Sequence, residues 1–132
     1  MKRTRTDDSG ASAVEMAIIA PSLLLLIFFV VQVSLWFYGR SVALSAAREG
    51  VSRLRLAQTE EVFKASYPGV NDSVKRYAST IGSGALNNPR VNSVYGPDSV
   101  TVTVSGTTIS LIPFATFTVT QKAHGRIERF GN

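Results

Sequence analysis

Few residues in this chain are placed to do chemistry, and the most conspicuous is a carboxylate in an apolar setting. Glu15 stands at the mouth of a long hydrophobic run, and no other charged side chain occurs between Asp8 and Arg40. A glutamate at a hydrocarbon boundary costs up to about 2–3 kcal/mol, less near the interface. Such a group is suited to charge pairing, because opposite charges attract strongly where the dielectric is low. It also favours a helix start through the dipole. Conventional catalytic sets are missing. His124 is the only histidine and lies in a polar C-terminal stretch, where a surface position is expected. Serines are plentiful, but no nucleophile elbow or phosphate loop accompanies them. The absence of cysteine excludes disulfides, lipidation on cysteine, thiolate zinc sites and cysteine nucleophiles. Asn71-Asp72-Ser73 matches a glycosylation acceptor, a pattern that often arises by chance. The expectation is therefore no enzyme, no metal site and no cofactor.

The element that must position Glu15 is the run behind it. Residues 16–39, MAIIAPSLLLLIFFVVQVSLWFYG, are 24 positions without a charge. As a helix they span about 36 Å, enough to cross a hydrocarbon core of about 30 Å with some tilt. Trp36 and Tyr38 sit at its far end, where amphipathic rings favour the water–lipid boundary. Pro21 removes one backbone donor inside the run, which predicts a kink or local loosening near Ala17. The positive residues do not decide orientation alone: Lys2, Arg3 and Arg5 precede the run, while Arg40, Arg48, Arg53 and Arg55 follow it. A secretory signal with cleavage after the Ser-Val-Ala of 41–43 is the plain alternative, but the run far exceeds the usual apolar core of about 7–15 residues.

The stretch GASAVE, with Gly10 five residues before Glu15, resembles the type III signal of type IV prepilins. That resemblance implies cleavage between Gly10 and Ala11 by a membrane prepilin peptidase, which leaves Glu15 as the fifth residue of the mature chain. The new amine at Ala11 would lie about one helical turn from Glu15 and pair with it, within one subunit or between neighbours. SAVEMAIIAPSLLLLIFFVVQ is similar in detail to the TadE-like branch, in which a V-E-F/M-A motif precedes an early proline, here Pro21, and a leucine run. ALSAAREGVSR at 43–53 likewise resembles the A-A-R-x-G-x-R stretch that follows such segments. Met16 stands where phenylalanine is commoner, and Ala11 departs from the phenylalanine that begins major pilins, which favours a pseudopilin or minor subunit. The resemblance implies a subunit of a tight-adherence pilus in the cytoplasmic membrane, N-terminus inside and C-terminal domain outside. Its partners would be prepilin peptidase, other pilins or pseudopilins, the inner-membrane assembly platform and membrane lipid. A bitopic envelope protein with an uncleaved N-terminus and a partner-binding outer domain is the competing expectation.

Beyond the apolar run, Ala43, Ala46, Ala47, Gly50, Val51 and Leu54 recur at the spacing of one helix face, with Arg48, Ser52 and Arg55 opposite. Their small size permits close backbone approach by another helix or a sheet. Thr59-Glu60-Glu61 predicts a short helical turn broken at Pro68-Gly69. A second helix is then predicted from Val70, Val74, Tyr77, Ala78 and Ile81, ended by Gly82 and Gly84. Residues 82–90, GSGALNNPR, read as loop. Val100, Val102 and Val104 alternate with Thr101, Thr103 and Ser105, and Ala115, Phe117 and Val119 alternate with threonines, so about three antiparallel strands are expected. The predicted organisation is α+β: a leader at 1–10, a transmembrane and extended helix at 11–56, and a small domain at 57–132 built on a pilin-like antiparallel sheet. The net charge of +5 is mild and scattered over the C-terminal region. No basic stripe with interleaved aromatics marks a nucleic-acid surface.

Overall fold

The computed structural model describes residues 7–129, so the basic residues Lys2, Arg3 and Arg5 lie outside the described part. Two helices precede a three-stranded sheet: α1 (Asp7–Leu54), α2 (Glu60–Gly82), β1 (Asn87–Tyr95), β2 (Ser99–Thr108) and β3 (Phe117–Arg126). The chain divides into two compact units, Met1–Val33 and Ser34–Asn132, and α1 is continuous through the boundary. The α+β expectation is borne out, as is a long N-terminal helix apolar enough to cross a membrane.

In the first unit every described side chain from Ser9 to Val31 is exposed. Apolar residues surround the helix on all sides there, so no face is singled out for packing. In the second unit the predicted stripe is borne out: Ala43, Ala46, Ala47, Gly50, Val51 and Leu54 are all buried, while Arg48, Ser52 and Arg55 are exposed. The stripe joins one core with Val74, Ala78, Val100, Val102, Val104 and Val119.

The sheet is an antiparallel meander in the order β1-β2-β3. Register pairs Val104 with Val91 and Gln121, and Val102 with Ser93 and Ala123. Alternation then places Val100, Val102, Val104, Gly106 and Thr108 on the buried face of the central strand. The glycines set how closely the layers approach. A Cβ on Gly50 would lie 3.0 Å from Val102 and 3.1 Å from Val74, so sheet and α2 both close on the helix at that point. A Cβ on Gly125 would overlap the Val51 side chain.

Two expectations need correction. α2 is one helix of 23 residues from Glu60 to Gly82, not a short turn followed by a second helix. Pro68 removes one ladder bond, but packing on both sides of it holds the helix together. Phe63 is buried, stacks on Tyr67 at 5.5 Å and meets Tyr95 at 5.3 Å, while Val74 and Ala78 enter the core further along. Thr59 caps the start, its hydroxyl oxygen accepting the Val62 N–H at 3.3 Å.

The second correction concerns residues 82–90. Ser83 and Gly84 do end α2 in left-handed conformations, but β1 begins already at Asn87. Pro89 is tolerated because β1 is an edge strand and the register shifts between Asn87 and Arg90, the irregularity at which proline is accepted. Ala115 falls short of β3, which instead runs on to Arg126.

Candidate processing and assembly segment

Gly10, Ala11, Glu15 and Pro21 all lie on α1 in the first unit, and all are exposed. A helix of this composition forms readily from Ala11 onward, because alanine and leucine have high propensity and no charge interrupts residues 16–39. The Gly10–Ala11 peptide bond lies within α1. Around Gly10 the space is open: a Cβ there would meet nothing within 4 Å. A Cβ at this position therefore meets no side chain among the described residues.

Glu15 is four residues beyond Ala11, which puts the two on one helix face about 6 Å apart at Cβ. Among the described residues Glu15 has no ion-pair partner. The recorded pairs belong to other surfaces: Glu49 with Arg53 at 2.8 Å, Glu60 with Lys64 at 2.8 Å, and Glu128 with Arg55 at 3.3 Å. The carboxylate is thus exposed on an apolar helix, one turn beyond Ala11.

Pro21 is contained within α1, which runs unbroken from Asp7 to Leu54. One turn is reinforced beside it, the Ser22 hydroxyl donating to the Ile18 carbonyl at 3.2 Å. In an apolar solvent such side-chain back-bonding satisfies hydroxyls that would otherwise lack partners.

The other chemically capable residues stay apart. His124 is exposed on the outer sheet face, its Nδ1 at 2.8 Å from the Thr101 hydroxyl, its cross-strand neighbour. Asn71 is inside α2, its side-chain carbonyl accepting a 2.6 Å bond from Ser93. A polar cavity of about 300 Å³ on the outer sheet face is lined by Asn88, Arg90, Ser105, Gly106, Thr107 and Thr118. It contains one cation and hydroxyls, with no general base beside a nucleophile. No group of three or more metal-ligating side chains occurs among the described residues.

The alternative cut after Ala43 meets an obstacle in the packing. Val42 and Ala43 are 3% and 0% exposed in the core, in the middle of α1. A cut there would divide the helix that the small domain packs on. What the sequence did not reveal is the β2–β3 loop, where Ile109, Leu111, Ile112 and Phe114 are exposed. The available signal was the run ISLIPF, which is unusually apolar for a hairpin connection.

No curated protein and no solved structure gives a match to this chain. Residues 10–52, the stretch that holds Gly10, Glu15 and Pro21, do match the family model described as TadE-like protein.

Proposed function

We propose that the chain is a pseudopilin or minor pilin of a tight-adherence pilus, cleaved between Gly10 and Ala11 and assembled through Glu15. The observation that carries this reading is a coincidence of positions. The family match begins at Gly10, and the helix that follows exposes apolar side chains all round with a single carboxylate at its entry. A helix of that kind is stable when lipid or other apolar helices surround it. In this reading the leader ends in the cytoplasm and the domain beyond residue 56 lies outside. Prepilin peptidase acts first, and the inner-membrane platform and neighbouring pilins receive the product. The role is structural: the subunit enters or primes a filament.

Glu15 explains its own cost under this reading. Cleavage creates a positive amine at Ala11, and pairing it with a carboxylate offsets the desolvation of both in a low-dielectric site. Removing one partner leaves the other buried and unpaired, which is the larger penalty.

Intact mass and N-terminal sequence of the protein from its native host test the reading. An Ala11 start is expected. A Met1 start would support the bitopic envelope protein, and a Leu44 start a secreted domain. Gly10→Val should accumulate as full-length, membrane-inserted precursor, because a side chain there blocks close approach of the backbone to catalytic groups. Glu15→Gln should be cleaved normally but fail to co-purify with sheared pili or platform proteins. Incorporation at the wild-type level would reduce Glu15 to a tolerated helix-start carboxylate.

A further inference from the structure

We infer that the β2–β3 loop is a second membrane contact, with Ile112 and Phe114 seated in the headgroup–acyl boundary of the leaflet that α1 leaves near Trp36 and Tyr38. This inference rests on the proposed membrane-spanning role of residues 16–39.

The position of the loop follows from how α1 lies against β2 within the second unit. Val102 adjoins Gly50, and Thr108 adjoins Gly39, whose Cβ position is also 3.1 Å from the Ala85 carbonyl. Moving from Gly50 back to Gly39 covers about 16 Å of helix, and moving from Val102 to Thr108 covers about 20 Å of strand. The two therefore run antiparallel and side by side. β2 ends level with Gly39, so the residues after Thr108 emerge at the level of the aromatic cluster at 36–38. The end of α2 reaches the same level, its Ile81 carbonyl accepting from the Tyr38 hydroxyl at 3.4 Å. Arg40, one position above the uncharged run, holds its guanidinium 5.5 Å over the Trp36 ring, where lipid phosphates would be met.

The composition of the loop is unusual for a connection in water. Ile112 is 51% exposed, and Phe114 is exposed to the full extent of its side chain. Phe114 also holds φ of 66°, a left-handed conformation rarely adopted by a bulky residue. Strained, apolar and outward-facing loop tips mark contact with something outside the fold. Part of the loop's polar backbone is bonded locally. Ser110 Oγ accepts the Ile112 N–H at 3.2 Å and lies 2.9 Å from the Ile112 carbonyl, and the Ala115 N–H donates to that carbonyl at 3.2 Å. Each backbone group bonded internally lowers the cost of approaching an apolar phase. No Asp, Glu, Lys or Arg occurs between Ser99 and Gln121, so nothing in the loop opposes it. Continuity with the aromatic end of the membrane helix selects lipid as the occupant over a second protein.

Because the chain has no cysteine, single cysteines can be labelled without background. The full chain carrying Phe114→Cys, Thr120→Cys or Phe28→Cys is labelled with an environment-sensitive fluorophore and reconstituted in phosphatidylcholine–phosphatidylglycerol vesicles. Ile112→Cys repeats the loop reading, and circular dichroism confirms that each variant folds. Loss of fluorescence is expected at positions 112 and 114 with lipids brominated near the headgroup. At position 28 it is expected with lipids brominated near the chain ends, and at Thr120 with neither. An unquenched loop beside a quenched position 28 overturns the inference while leaving the membrane span intact. If position 28 is unquenched as well, the span fails and the inference fails with it. Shielding of the loop from aqueous iodide that disappears on dilution into excess lipid, without lipid quenching, assigns the loop to a second copy and also overturns the inference.

Discussion

The two parts of α1 show opposite ways of being hydrophobic. Before residue 34 the apolar side chains are large and exposed all round, Leu25 at 71% for example. From Val42 onward they are mostly small and confined to one face, and Ala43, Ala46 and Ala47 have no exposure at all. Mean hydropathy would call both parts apolar. The arrangement distinguishes them: a helix apolar on every side asks for an apolar solvent, whereas a narrow stripe of alanine and glycine asks for a backbone close beside it. In the first part side-chain identity matters through its sum. In the second it matters position by position.

The sharpest way to break this comparison is the same substitution in both parts of the helix. Leu54→Ala removes a side chain with no exposure and should destabilise the C-terminal domain by about 2–5 kcal/mol, while Leu25→Ala should leave domain unfolding unchanged. Urea unfolding of the full chain in micelles, followed by the β-sheet signal, measures both. Equal effects would mean that the two parts pack alike.

A charge reverses the asymmetry. Leu25→Arg places a guanidinium in the middle of the uncharged run and should oppose insertion by about 2.5–3.5 kcal/mol. Carbonate extraction of membranes would show this as a shift toward the soluble fraction, with domain stability unaltered.

Gly50 tests the claim of position-by-position fit. Gly50→Leu pushes into Val102 and Val74 and should cost about 1–3 kcal/mol of domain stability, although leucine is the better helix former. A stabilised variant would show that the helix face has room. The smallest effect is expected at the start of α2, where Thr59→Ala loses the cap on the Val62 N–H and should cost about 1 kcal/mol in the same assay.

Much of this was legible in the residues themselves, because the signals are local and strong. An uncharged run of 24 residues, a 3.6-residue stripe from Ala43 to Leu54, and valine–threonine alternation after Ser99 each carry their own periodicity. The placement of Gly10 and Glu15 ahead of the run was legible for the same reason. Pro68 was misread as a boundary, because its local penalty is plain in the sequence while the buried Phe63 that outweighs it becomes visible only through Tyr67 and Tyr95. Residues 87–90 were misread as loop because Asn and Pro argue against a strand until an edge position and a register shift are known.

From the sequence alone, the long apolar helix, the small-residue stripe, the strand alternation and the Gly10–Glu15 spacing are determined, since each depends on neighbours within a few residues. Only the tertiary structure decided that Gly50 is where sheet and second helix close together, that α2 continues through Pro68, and that β2 ends beside Gly39 and leads into an exposed apolar loop. Those outcomes depend on which distant segments share a surface. Packing free energy between residues dozens of positions apart is large enough to override a local preference of one proline or one loop, and no periodicity in the chain records it.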